Sequence, residues 1–151
     1  MGNQPRKLPG TPAGGQWAPA PHDEADVELG PVMTQLLDGT REWRQGGKLH
    51  RTNGPAVEYA SGAREWHQHG QLHRTDGPAV EHPDGTREWW AHGQPHRTDG
   101  PAIESPDGTR EWWVDGKLHR RGGPAVEYPD GIREWWIDGK LLRTRTNNPR
   151  D

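Results

Sequence analysis

The side chains that could carry chemistry in this 151-residue chain are nine histidines and the Arg, Glu and Trp residues set among them. His50, His73, His96 and His119 recur at a constant interval of 23 residues, which invites a metal-binding reading. Geometry opposes it. If each 23-residue unit supplies two strands, row neighbours sit ~9.6 Å apart, whereas zinc ligands must each approach to ~2.0 Å. His67 and His69, on one face of one strand with His82 and His92 near, make the better candidate pair. The expected role of the histidines is structural, donating to loop carbonyls, and neither metal nor cofactor is expected. The triplet Arg-Glu-Trp occurs in all five units, and catalytic groups are singular, tuned by one special environment. Ser61 and Ser105 fall at turns or strand ends, with no base or oxyanion arrangement legible beside them. The absence of Cys removes thiolate catalysis, Cys-ligated zinc and disulfides. No Gly-rich phosphate loop leads into a helix. The reading is of a chain that is not an enzyme.

Tryptophan carries the functional signal. Trp43, Trp66, Trp89, Trp112 and Trp135 form one row, and Trp90, Trp113 and Trp136 form a second on the opposite face. The first row is expected to be structural, packed beneath the His-Arg loops with Leu49, Leu72 and Leu118, a pattern that Pro95 breaks. The second, with Arg87, Arg110 and Arg133, is the candidate partner-binding surface, because an exposed aromatic stripe rimmed by charge is a binding surface by default. Against it stands a plainer alternative in which Arg stems lie over the indoles and nothing binds.

What positions these residues is a tandem repeat. Units begin at residues 38, 61, 84, 107 and 130, and the unit from Asp107 reads DGTREWWVDGKLHRRGGPAVEYP. Residues 30–37 read as a degenerate half-repeat cap, so the repeat domain spans 30–143, and residues 144–151 are expected to fray. Each unit holds two short strand candidates, Ala-Val-Glu-Tyr and Thr-Arg-Glu-Trp-Trp, rich in β-branched and aromatic residues. Pro-Asp-Gly between them suits a type I turn with a G1 bulge, with Gly39, Gly62, Gly85, Gly108 and Gly131 in the left-handed position. A three-residue loop sets Glu58, Glu81, Glu104 and Glu127 opposite Arg64, Arg87, Arg110 and Arg133, whereas a two-residue loop would oppose Glu104 to Glu111. Charge selects the bulged turn, and ion pairs across each hairpin follow as an expectation. The sum is an all-β fold, an elongated, twisted, single-layer antiparallel meander.

Composition agrees with a thin structure. Only 28% of residues are hydrophobic, against 21 Gly and 15 Pro, too little apolar area for a thick core. A net charge of −3 gives no basic field for nucleic acid. No apolar run approaches a membrane span, and no hydrophobic signal segment opens the chain, so a cytoplasmic location, in a bacterium or an infected host cell, is expected. Residues 1–29 are Pro- and Gly-rich and expected to be disordered. Within them residues 23–29, DEADVEL, could form a short helix or an edge strand.

The 23-residue unit resembles the MORN repeat, and more closely a bacterial and phage variant whose hallmark reads HRxDGPA. Here it stands as residues 73–79 and 96–102, with aromatic-x-x-Gly elements at residues 59–62, 113–116 and 128–131. His82 and Ser105 depart from the aromatic position, and Gly-Pro-Ala replaces the usual Gly-x-Gly. The resemblance implies a single-layer sheet used for protein–protein contact or scaffolding, antitoxin-like in some bacterial relatives. The function expected is therefore a non-enzymatic scaffold that binds another protein through a Trp/Arg/Glu-lined face, with self-association at a sheet edge as a further possibility. A glycan or cell-wall binder using the Trp rows, and a virion structural protein, are the alternatives.

Overall fold

The structure, a computed structural model, describes residues 30–146; the expected N-terminal tail, residues 1–29, and residues 147–151 lie outside them. Among the described residues every regular element is a strand: β1 (Val32–Gln35), β2 (Arg41–Gln45), β3 (Lys48–Leu49), β4 (Val57–Glu58), β5 (Arg64–Glu65), β6 (His67–Gln68), β7 (Gln71–Leu72), β8 (Val80–Glu81), β9 (Arg87–Glu88), β10 (Trp90–Ala91), β11 (Gln94–Pro95), β12 (Ile103–Glu104), β13 (Arg110–Glu111), β14 (Trp113–Val114), β15 (Lys117–Leu118), β16 (Val126–Glu127), β17 (Arg133–Ile137) and β18 (Lys140–Arg145). None of them is a helix that could cross a membrane.

The main sheet runs β1-β2-β4-β5-β8-β9-β12-β13-β16-β17-β18, with β3 paired to β2. Its hairpins have the three-residue loop expected from charge. Tyr128 N–H donates to the Ile132 carbonyl at 3.0 Å and Gly131 N–H to the Tyr128 carbonyl at 3.1 Å. The glycines at this place, Gly39, Gly62, Gly85, Gly108 and Gly131, have φ between 89° and 97°, which a Cβ would disfavour. Glu58 pairs with Arg64, Glu81 with Arg87, Glu104 with Arg110 and Glu127 with Arg133. The register matches the expectation, but the ion pairs do not follow it. Glu81 is instead bound by Arg74 at 3.3 Å and Arg64 at 3.9 Å, and Glu104 by Arg97 at 3.3 Å.

A second set of hairpins, β6-β7, β10-β11 and β14-β15, lies off the main sheet. Their His-Gly and Asp-Gly pairs lie beyond the two strands per unit expected from sequence. They are two-residue turns with both central residues left-handed: His69 (53°) with Gly70 (85°), His92 (52°) with Gly93 (76°), and Asp115 (49°) with Gly116 (72°). That is the type I′ geometry whose twist matches flanking strands. Successive hairpins are tied into a strip. Gly93 N–H donates to the Leu72 carbonyl, and Gly116 N–H to the Pro95 carbonyl, each at 3.0 Å. Pro95 therefore keeps the common register, opposite Trp90, and breaks nothing. Leu72 and Leu118 face His67 and Trp113, the second-row positions, not the first row as expected. The C-terminal strand also outruns its expected limit: β18 pairs with β17 as far as Arg145.

Among the described residues the buried apolar core is small: Ala56, Val57, Ala79, Val80, Ala102, Ala125 and Val126. What closes the loop-bearing side is arginine. The Arg51, Arg74, Arg97 and Arg120 guanidinium carbons sit 3.7–4.0 Å from the ring centroids of Trp43, Trp66, Trp89 and Trp112. Each guanidinium also donates to a proline carbonyl, as Arg97 does to Pro101 at 3.1 Å. Arg74 and Arg97 add a bond to Asp76 and Asp99, both at 2.9 Å. The glycine of Gly-Pro-Ala is required by this arrangement. A Cβ on Gly77 or Gly100 would meet the guanidinium carbon at 2.9 Å, which even Ala cannot accept without moving it.

Gly100→Ala should therefore lower unfolding stability by about 1–3 kcal/mol, the usual cost of overpacking. Gly30→Ala, whose Cβ would meet nothing within 4 Å, should leave the denaturant midpoint unchanged. Equal midpoints for the two variants would show that the guanidinium seat is soft.

Candidate functional site

Residues opposed across neighbouring strands project to the same side of a sheet, so the register assigns two faces. The loop face carries Arg41, Arg64, Arg87, Arg110 and Arg133, the Glu58, Glu81, Glu104 and Glu127 row opposed to them, and the Arg-capped first Trp row. The other face carries Val57, Val80, Ile103 and Val126 opposite Glu65, Glu88, Glu111 and Glu134. On it Trp90, Trp113 and Trp136 each donate Nε1–H to the glutamate two residues earlier, Glu88, Glu111 and Glu134, at 2.7–2.8 Å. Their indoles are half-buried. The candidate partner-binding set is thus divided, its tryptophans on one face and its arginines on the other.

The donor at this second-row position changes while the bond persists. In the second unit His67 Nε2 meets Glu65 at 2.8 Å, and in the first Arg44 Nε meets Glu42 at 2.9 Å. The His67 bond, with a second bond from the Tyr59 hydroxyl at 3.0 Å, holds the Glu65 carboxyl below its ordinary value. Burial, then the Glu65 charge, pushes the Tyr59 hydroxyl up to about 12. His67 Nδ1 is the one buried side-chain polar atom without a partner among the described residues.

The candidate metal pair is not brought together as a site. His67 is buried against Glu65, whereas the His69 ring tilts over His50, centroids 4.6 Å apart. Among the described residues no three His, Cys, Asp or Glu side chains are placed to hold a metal ion. The His50, His73, His96 and His119 row does structural work of a different sense from that expected. Each Nδ1 accepts a backbone N–H from the next unit's type I′ turn, at His69, His92, Asp115 and Asp138, over 3.1–3.2 Å. In the last two pairs the same Nδ1 lies 2.9 and 2.8 Å from the carboxylates of Asp115 and Asp138. A neutral ring accepts the amide; a protonated ring donates to the carboxylate.

Two features of the loop face are available for contact. Grooves open between consecutive His-Arg loops, once per unit. The first is lined by residues 51–54 and 73–76 with Trp66, the second by residues 73–77 and 96–99 with Trp89 and Trp90, the third by residues 97–101 and 119–121 with Trp112. They hold about 540, 520 and 630 Å³. The second feature is charge. Arg41 and Arg64 pair with Glu58 and Glu81 at 2.8 and 3.9 Å, and Arg133 donates to the Tyr128 and Ile132 carbonyls. Arg87 and Arg110 are exposed, and among the described residues neither has an ion pair; both line a shallow pocket with Glu104, Ser105 and Trp112. The grooves were not legible in advance, because they exist only between loops of different units.

Two predictions follow from this geometry. Trp112→Ala removes the ring beneath Arg120 and should cost about 3 kcal/mol, the low end for a Trp truncation because the ring is half-buried. Trp113→Ala should also destabilise, by about 1–3 kcal/mol, since it strips Glu111 of its donor; an unchanged chemical-denaturation midpoint for Trp113→Ala would refute that. The second concerns pH. Burial, then the His92 charge, holds His73 below the ordinary histidine value, so the folded chain binds fewer protons there than the unfolded one. Its contribution is therefore full above the ordinary value and declines as pH falls through it. Stability should drop between about pH 8 and about pH 5.5, and His92→Asp, which installs the pairing found at Asp115, should shrink that drop. A drop of the same size in the variant would remove His73 as its cause.

No protein-family model matches the chain, and none of the curated proteins matches it.

Proposed function

We propose that this chain is a non-enzymatic repeat scaffold, MORN-like in its unit, that binds another protein along the loop face. One observation carries the reading: the same groove recurs three times in the same register, floored by Trp66, Trp89 and Trp112. An active site is a singular constellation, whereas an array of equivalent grooves suits an extended protein surface contacted at several points. Trp and Arg, which dominate binding energy at interfaces, are the residues that line it. The exposed Arg87 and Arg110, without ion pairs of their own among the described residues, favour a partner that presents carboxylates.

The test is affinity capture, with cross-linking, from cells that make the chain, comparing the parent with an Arg87→Glu/Arg110→Glu variant. The variant sets Glu opposite Glu81, Glu104 and Glu127, so its unfolding midpoint should fall; compared under conditions where both chains remain folded, it should lose a stoichiometric partner by at least about tenfold in recovery. Lys48→Glu, on β3, should retain that partner. Undiminished capture by the double variant, or no stoichiometric partner for the parent, would refute the proposal.

A further inference from the structure

The two ends of the main sheet differ in a way that bears on self-association. At the first edge β1 is uncharged, Val-Met-Thr-Gln, with Val32 and Met33 exposed and Leu36 and Leu37 exposed just beyond it. At the last edge β18 is basic, Lys-Leu-Leu-Arg-Thr-Arg, exposed along all six residues. Among the described residues its outer edge has no strand partner, which leaves backbone donors and acceptors beside Lys140, Arg143 and Arg145, while Leu141 and Leu142 are 48% and 64% exposed. Arg143 is stacked over the Trp135 ring of β17 at 3.9 Å. Charges of one sign discourage two β18 strands from pairing with each other. They favour an acidic strand.

The chain carries one. Residues 23–29 read Asp-Glu-Ala-Asp-Val-Glu-Leu, four acids in seven residues, immediately ahead of the sheet. An antiparallel register that opposes Glu24 to Arg145 and Asp26 to Arg143 also opposes Val27 to Leu142; a slip of one residue one way gives Asp23–Arg145 and Glu28–Lys140 instead, and the other way gives no charge pair. Direction is satisfied as well. The sheet path has eleven strands, all in antiparallel pairs, so β1 and β18 run the same way. Two copies abutting edge to edge would meet in parallel, and one inserted strand restores the alternation. The segment cannot reach β18 of its own chain. Ten strand spacings separate the two edges, ~48 Å, and residues 23–31 span at most ~32 Å fully extended.

We propose that residues 23–29 of one copy add as an antiparallel strand to the β18 edge of another, joining copies head to tail. The contact is heterologous, so it extends into open chains, not a closed dimer. It does not depend on the function proposed above, since it uses neither the grooves nor the loop-face arginines.

Sedimentation velocity of the full chain over a range of concentrations tests it. The weight-average mass should climb past that of a dimer as concentration rises, and fall with added salt. Glu24→Lys/Asp26→Lys lies outside the described sheet, so it should leave the unfolding midpoint unchanged while weakening association at least about tenfold. Arg143→Glu/Arg145→Glu should weaken it similarly, and the two variants mixed should regain association past a dimer, because the charge-reversed segment of one then opposes the charge-reversed edge of the other, and the native segment the native edge. A parent chain that stays monomeric throughout would overturn the proposal. So would association that survives the Glu24→Lys/Asp26→Lys change; if Met33→Pro then abolished it, the contact would belong to β1 pairing with β1.

Discussion

The guanidinium of the His-Arg loop is the contact on which the rest of this structure depends. A sheet whose buried apolar residues, among those described, are only Ala and Val has little hydrophobic area to hold the seven-residue connection, residues 119–125 in the fourth unit, against it. Arg51, Arg74, Arg97 and Arg120 supply the missing cover. Each is a planar cation that stacks on an indole and directs its N–H groups at a carboxylate and a proline carbonyl. Stacking of this kind is worth about 0.5–2 kcal/mol, modest for one unit but repeated along the sheet. The fourth unit shows how the contact adjusts. Gly122 stands where Asp76 and Asp99 stand in earlier units, so Arg120 has no loop carboxylate, and it lies closer to Glu127, at 3.0 Å, than Arg97 does to Glu104, at 3.3 Å.

The same loop explains why the sheet divides. In the inner units the chain passes from Lys-Leu or its equivalent, through the loop, to the next Ala-Val strand, so the Arg-Glu-Trp strand must serve two partners. Its first half pairs in the main sheet and its second half in the side hairpin, as β9 and β10 do. In the last unit no Gly-Pro-Ala follows Arg143. There β17 runs unbroken through both tryptophans and β18 pairs along its whole length, with one irregularity between Trp135 and Trp136. The Arg143–Trp135 stack persists without the loop. Stacking therefore does not need the turn, whereas the turn, lying against the sheet, needs the stack.

How much of this was legible follows from which contacts are local. The Pro-Asp-Gly turns, their left-handed glycines and the Glu–Arg register could be read because a hairpin is decided by residues within one unit. The His-Gly and Asp-Gly turns carried the type I′ signal equally well, and their flanking strands went unrecognised because each is only two residues long, without visible alternation. The ion pairs were misassigned for a different reason. Facing Glu81 across the hairpin, Arg87 competes with Arg74, which is preorganised on Trp66 and already bonded to Asp76, and an anchored guanidinium loses less side-chain freedom than a free one. Nor could the histidines' hydrogen bonds be read from one unit, since His73 and His92 meet only when two units stack.

Differences between units then separate frame from function. Positions that never change in the complete units, such as the Arg on each first-row Trp and the Gly against that Arg, have their identities dictated by distance, 2.9–3.1 Å from a built Cβ to the guanidinium carbon. At the second-row position Arg44, His67, Trp90, Trp113 and Trp136 are interchangeable because the frame asks only for an N–H aimed at a glutamate. Once that demand is met, size and charge there are free to vary. The same holds where Thr52, Thr75 and Thr98 give way to Arg121, and where Tyr59, His82, Ser105 and Tyr128 follow one another at the head of the turn. A frame that tolerates such exchanges lets side-chain size and charge vary at these positions without changing how the chain folds.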